Sequence, residues 1–144
     1  MATTKTSGEV PVNYTLCIKN DCPKAAMCLR YKATQMMQAD VQTWSILSPT
    51  YLAQIEGECP HYRSAEKVQY ARGFVQMMSS LMVKQANAMK DNIVTKFGMN
   101  MYYRMRRGDR LITPTEQEAI YQILEQQGVT NRPDFDTYVE DYLW

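Results

Sequence analysis

Four cysteines, all within the first 59 of 144 residues, constrain this chain more than any other feature. Their spacing is Cys17-x4-Cys22-x5-Cys28-x30-Cys59, and the rest of the chain holds none. Thiolates are soft, anionic ligands that bind zinc or iron–sulfur clusters. A structural zinc site needs a closed shell of four ligands, and a four-iron cluster needs one thiolate per iron. We therefore expect Cys17, Cys22, Cys28 and Cys59 to form one metal site.

The spacing leaves both cofactors open, Zn²⁺ and [4Fe–4S]. The chain lacks the two-residue gaps that zinc knuckles commonly use, and its Cys-Pro pairs at 22–23 and 59–60 are similar to those that end ferredoxin motifs. His61, the only histidine, is an alternative ligand or a residue beside the site. In the competing interpretation the cysteines are unrelated and partly buried as small apolar residues. Two disulfides would require an exported chain.

The chain has no pattern typical of a membrane or secreted protein. The segment 1–10 lacks the basic and apolar regions of a signal peptide, and no apolar run approaches the roughly 18 residues of a membrane span. We therefore expect a cytoplasmic protein with reduced thiols and no membrane partner. An enzyme is not expected, because the single histidine lies in the cysteine block and no glycine-rich phosphate loop occurs.

Hydrophobic periodicity predicts a mainly α protein. We expect a disordered tail at 1–13, a cysteine-rich metal-binding element at 14–63, and a helical domain at 64–144 on which that element packs. The element should contain a helix over 25–37 and a short strand at 41–47. The domain should contain four to five helices, of which the one after Thr113 has the strongest start, a Thr113-Pro114-Thr115-Glu116 capping box. The predicted helices of the domain cover about 64–82, 84–97, 101–107, 114–127 and 133–144.

Charge is unevenly distributed along the domain. Residues 84–110 carry seven basic and two acidic side chains, whereas 111–144 carry one basic and seven acidic ones. A helix, a glycine turn, a short basic helix and a capped helix form the outline of a helix-turn-helix. Arginine pairs with phosphates and guanine edges, and tyrosine bonds phosphate or stacks. The candidate nucleic-acid-binding residues are Tyr102, Tyr103, Arg104, Arg106, Arg107 and Arg110.

The helix-turn-helix pattern fits only in part, because Arg104 and Arg107 occupy positions where its second helix needs apolar residues. An ordinary bundle explains the charges equally well if the basic face is solvated or pairs with the acidic helices. Two functions remain open. One is a nucleic-acid-binding regulatory or accessory protein with duplex DNA as partner. The other is a protein-interaction adaptor with a purely structural metal site. The oligomeric state is open.

Four motifs together resemble a known family. They are Cys-x4-Cys-Pro-x4-Cys-Leu-Arg at 17–30, Cys-Pro-x-Tyr at 59–62, Tyr-Tyr-Arg-x-x-Arg-x-x-Arg-Leu-Ile-x-Pro-x-Glu-Gln-x-x-Ile at 102–120, and Phe-Asp-x-Tyr-Val-Glu-x-Tyr-x-Trp at 135–144. The chain resembles a small bacterial family of anaerobic gut bacteria that carries only a domain-of-unknown-function label. The resemblance spans nearly the whole chain and implies that the cysteine block and the Tyr-Tyr-Arg block belong to one unit. It implies no activity.

Overall fold

The computed structural model describes residues 9–144, so most of the predicted disordered tail lies outside the described residues. Within 9–144 the chain forms six α-helices, one 3₁₀ turn at Ala25–Met27 and two strands. The mainly helical class is therefore confirmed, with a small two-stranded sheet added. The helices are α1 (Leu29–Met36), α2 (Pro49–Ala53), α3 (Val75–Ser79), α4 (Val83–Phe97), α5 (Met99–Arg107) and α6 (Pro114–Gln126); the strands are β1 (Lys67–Arg72) and β2 (Thr137–Tyr142).

The chain divides into two compact units. Among the described residues, the cysteine unit comprises the chain from residue 9 to Lys67 together with Asp141–Trp144. The helical unit comprises Val68–Glu140. All four cysteines belong to the first unit, and α3 to α6 belong to the second.

The cysteine unit has little regular structure and a small core. Its buried apolar residues are Leu16, Ala25, Leu29, Ala33, Leu52 and Tyr142. The predicted strand at 41–47 is wrong, because only Ile46 pairs there, in a single bridge with Leu16. The helix predicted over 25–37 begins as a 3₁₀ turn, and α1 starts only after Cys28, whose backbone is extended. A segment that lacks β-ladders and long helices must satisfy its backbone N–H and C=O groups through other contacts.

The helical unit holds a larger core, because α4 packs against both α5 and α6. The sequence prediction is confirmed for these three helices. The α6 capping box has both of its bonds, with the Glu116 amide donating to Thr113 Oγ1 (3.2 Å) and the Thr113 amide donating to Glu116 Oε1 (3.2 Å). The core residues are Ala71, Phe74, Met77, Met89, Ile93, Tyr102, Met105, Ile112, Ile120, Ile123, Leu124 and Phe135.

The helix predicted over 64–82 is wrong, because β1 and the short α3 occupy most of that range. Gly73 separates them at φ +77°, a left-handed conformation that a helix cannot contain. A Cβ on Gly73 would lie 2.6 Å from Asp136 Oδ2. The regular spacing of Val68, Ala71 and Val75 that indicated a helix therefore joins residues from two different elements.

The helix predicted over 133–144 is also wrong, because β2 occupies Thr137–Tyr142. Its β-branched and aromatic residues favour a strand once a partner strand is present. Preceding the strand, the Asp136 carboxylate accepts hydrogen bonds from the Val75 and Gln76 amides (3.0 Å each). Asp136 therefore satisfies the first amides of α3 from a distant part of the chain.

Candidate metal centre

All four cysteines line one cavity in the cysteine unit, with a volume of about 310 Å³. Each thiol is partly exposed and none forms a disulfide. The four cysteines lie on separate segments of the chain, and Cys59 is far from the others in sequence. The four residues that the sequence predicts to share a site therefore line the same cavity.

Main-chain hydrogen bonds set the position of each cysteine. The Cys17 amide donates to the Arg30 carbonyl (3.2 Å), and the Cys22 carbonyl accepts from the Ala25 amide (3.0 Å). The Cys59 carbonyl accepts from the Tyr62 amide (3.2 Å). Each of these cysteines therefore stands on a segment whose backbone is already bonded.

Cys28 stands at the N-cap of α1, where the helix dipole favours a negative charge. Its carbonyl accepts from the Lys32 amide (3.0 Å), the first bond of the helix. Cys28 also forms an isolated antiparallel bridge with Ser64. On either side of it, the Leu29 amide donates to the Arg63 carbonyl (2.6 Å) and the Ala65 amide donates to the Met27 carbonyl (2.9 Å). These bonds tie the start of α1 to the segment after Cys59.

Arg30 ties three cysteine-bearing segments together. Its Nε donates to the His61 carbonyl (2.8 Å), two residues after Cys59. Its terminal nitrogen donates to the Thr15 carbonyl (2.8 Å), two residues before Cys17. The guanidinium also lies 5.1 Å from the ring centre of Tyr14. Burial raises the pKa of the Tyr14 phenol, and the positive charge of Arg30 opposes that rise.

Positive side chains outnumber negative ones around the cavity. Lys19, Lys24 and Arg30 line it, while Glu58 is the one carboxylate among the described lining residues. Lys24 Nζ lies 3.9 Å from Glu58 Oε1 and 5.0 Å from the Tyr62 ring centre. Hard cations such as Ca²⁺ and Mg²⁺ need several oxygen ligands, which this lining does not supply. The donor set suits a metal that prefers sulfur.

His61 also lines the cavity, and its ring packs edge-on to the Tyr51 ring at 5.8 Å between centres. Within residues 9–144, no three side chains of His, Cys, Asp or Glu stand close enough to hold one metal ion in this arrangement. The cysteines therefore surround a common space without converging on a single point.

The basic segment takes a different form from the one the sequence predicts. Tyr102 is 1% exposed and packs in the core of the helical unit, where burial raises the pKa of its phenol. Its hydroxyl donates to Met78 Sδ (3.1 Å). Tyr103 is half-buried, and its hydroxyl accepts from Lys90 Nζ (3.3 Å). Tyr102 is thus not available for surface contacts in this arrangement.

The four arginines of this segment have unequal surroundings. Arg107 pairs with Asp109 (3.0 Å), and Arg110 pairs with Glu116 at the start of α6. The Nε of Arg106 is buried and has no hydrogen-bond partner among the described residues. Arg104 forms no ion pair within the described part of the chain. Three of the arginines stand in the last turn of α5, where the helix dipole favours positive charge.

Sequence reasoning missed Arg30 and Arg72. The stem of Arg72 lies against Gly108 at the end of α5 and adds a basic residue to that end of the helix. Neither position is marked by local spacing, because each contact joins segments far apart in the chain. In the sequence, Arg30 stands out only as the last residue of the motif at 17–30.

Fold and site together define a mainly helical protein of two units, one of which gathers four free cysteines around a cavity. The model of a family described as "Family of unknown function (DUF6078)" matches residues 1–144. The chain therefore belongs to this family. Searches of the curated proteins and of the solved structures found no match. Within residues 9–144, no helix has the length and apolar character needed to cross a membrane.

Proposed function

We propose that this chain is a small metal-centre protein whose Cys17, Cys22, Cys28 and Cys59 jointly bind Zn²⁺ or a [4Fe–4S] cluster. The observation that carries the proposal is the single cavity lined by all four thiols. The excess of positive side chains around it would offset the negative charge that four thiolates bring. Because the cysteine unit has only a small apolar core, a bound metal would stabilise the loops around it.

Metal analysis of five single variants tests the proposal. Replacing each cysteine separately by serine should reduce the bound metal at least several-fold, because a closed four-thiolate site loses a ligand each time. The matched control is His61→Ala, which changes the same cavity but leaves all four thiolates, and it should retain the metal. Full metal content in the four cysteine variants, or a wild-type protein that takes up no metal, would contradict the proposal.

We propose nucleic-acid binding as a second function, with fewer contact residues than the six that the sequence predicts. The supporting observation is the group of arginines at the end of α5, of which Arg104 and Arg106 have no ion pair among the described residues. Arg107 and Arg110 already pair with carboxylates, and Tyr102 is buried. Binding would therefore be electrostatic, with Arg104 and Arg106 as its main contacts.

The dependence of duplex-DNA affinity on salt tests this second function. Replacing Arg104, Arg106 and Arg107 by alanine should weaken binding and reduce the salt slope by about one per lost phosphate contact. Arg132→Ala is the control, because Arg132 pairs with Glu118 and Glu125 and should not contribute. Circular dichroism checks that the variants remain folded. Absence of salt-sensitive binding in the wild type would leave the alternative, an adaptor that contacts proteins and uses its metal only for structure.

A further inference from the structure

We infer that Arg72 completes the nucleic-acid surface of the helical unit, and that this surface binds the phosphate backbone of a duplex without reading its bases. The inference rests on the proposed nucleic-acid binding and deepens it. Three arginines carry it, namely Arg72 at the end of β1 and Arg104 and Arg106 in the last turn of α5. We call these three residues the arginine surface.

Backbone bonds on both sides of Arg72 hold it against the end of α5. Before it, Ala71 exchanges two hydrogen bonds with Ile112, of 3.0 and 2.8 Å. After it, the amide of the buried Phe74 donates to the Arg106 carbonyl (3.2 Å). The position of Arg72 beside α5 is therefore fixed, although the two segments lie far apart in the chain.

Gly108 brings the stem of Arg72 next to Arg104. A Cβ on Gly108 would lie 2.9 Å from Arg72 Cγ, so the arginine stem fills the space that a side chain would take there. The Gly108 amide bonds to the Arg104 carbonyl, which places Gly108 one helical turn after Arg104. Residues one turn apart are neighbours on a helix surface. Arg72 and Arg104 therefore stand on the same side of the end of α5.

The arginine surface carries three positive charges without a counter-charge. Among residues 9–144, none of its guanidiniums forms an ion pair or a side-chain hydrogen bond. The carboxylates that contact neighbouring segments are already engaged, Asp109 by Arg107, Glu116 by Arg110, and Asp136 by the Val75 and Gln76 amides. Like charges gathered in this way attract a polyanion and release its counterions on binding.

The placement of these arginines favours phosphate contacts over base contacts. A helix-turn-helix reads bases with residues in the N-terminal part of its recognition helix. In α5 that part, residues 99–103, contains no basic residue and buries Tyr102. The free guanidiniums stand instead at the opposite end of α5 and at the end of a strand. Phosphates recur along the backbone of every sequence, so such a surface binds without sequence preference.

Binding of the full chain to two duplexes of equal length and unrelated sequence, measured over a series of salt concentrations, tests the inference. The decisive variant is Arg72→Met, which keeps an apolar stem against Gly108 and removes the charge. We expect the slope of log affinity against log salt to fall by about one, as in Arg104→Met, because each loses one phosphate contact. Arg72→Lys should keep the wild-type slope. The two duplexes should bind equally well to the wild type.

Arg132→Met is the matched control, since Arg132 is already ion-paired and should not contribute to the slope. Circular dichroism checks that each variant is folded, and Arg72→Gln repeats the test with a polar side chain. An unchanged slope in the Arg72 variants, with a reduced slope in Arg104→Met, would overturn the role of Arg72 and leave nucleic-acid binding standing. A preference of about ten-fold or more for one duplex would overturn backbone binding. Absence of salt-sensitive binding in the wild type would overturn both the inference and the proposed nucleic-acid binding.

Discussion

The side chain of Arg30 connects three cysteine-bearing segments of the cysteine unit through its hydrogen bonds. Two of its nitrogens donate to carbonyls that lie two residues from Cys17 and from Cys59, while its own segment carries Cys28. Lysine cannot reproduce this arrangement, because it lacks the fixed fork that reaches two acceptors at once. We therefore expect Arg30 to act as a positioning residue for the proposed metal site and not as a ligand.

Replacing Arg30 by alanine should lower the metal affinity about ten-fold, because residues that orient metal ligands commonly have effects of that size. The metal affinity of Arg30→Lys should lie between those of the alanine variant and the wild type. The measurement is competition with a chelator at fixed pH, with metal content as the readout. Arg63→Ala is the matched control, since within residues 9–144 the hydrogen bond of its guanidinium goes to the neighbouring Tyr62 carbonyl (3.3 Å). Equal affinity in both alanine variants would show that Arg30 does not position the site.

At the scale of elements, α6 shows how local signals specify a helix. Thr113 at the N-cap, Pro114 at the first position and Glu116 at the third agree with one another, and the structure contains both capping bonds. Glu116 also pairs with Arg110, which joins the basic and acidic parts of the chain. This pair supports the interpretation in which the charge asymmetry is partly internal.

Replacing Thr113 by alanine should reduce the free energy of unfolding of the helical unit by about 1 kcal/mol, because the Glu116 amide loses its acceptor. Urea denaturation followed by far-ultraviolet circular dichroism measures the change. Thr115→Ala, at an exposed position of the same helical turn, should have little effect. If the two substitutions destabilise the protein equally, the cap does not contribute as proposed.

The strands follow a different rule from the helices. β1 contains Val68 and Tyr70, and β2 contains Tyr138 and Val139, all residue types that strands favour. Their spacing also matched a helix, and nothing local distinguished the two structures. Pairing between segments more than 60 residues apart decided in favour of strands. Gly73 and Asp136 were visible in the sequence, but their close approach was not.

For the whole molecule, the two units differ in what holds them together. The helical unit contains a continuous apolar core, whereas the cysteine unit buries few apolar side chains, two of which are alanines. A unit of this size with so small a core commonly depends on a metal or disulfides. The four cysteines form no disulfide, so the stabilising group that we propose for this unit is the metal.

Removing the metal should therefore unfold the cysteine unit and leave the helical unit folded. Both tryptophans, Trp44 and Trp144, lie in the cysteine unit, so their fluorescence reports on that unit alone. After chelation we expect red-shifted tryptophan emission and most of the circular dichroism signal retained, because the longest helices belong to the other unit. Trp44→Phe isolates the signal of Trp144, which packs against Tyr14 and Tyr142. Simultaneous loss of both signals would contradict separate stabilisation.

The sequence by itself determined α4, α5 and α6, and it singled out the four cysteines that line one cavity. Helix caps and apolar stripes act over a few residues, and cysteine thiolates have a chemical preference for soft metals wherever they lie in the chain. Tertiary structure alone decided the strands, the burial of Tyr102, the bridging bonds of Arg30 and the cavity that the four cysteines line. The physical reason is the same in each case. These features depend on contacts between segments far apart in the chain, and local spacing carries no record of such contacts.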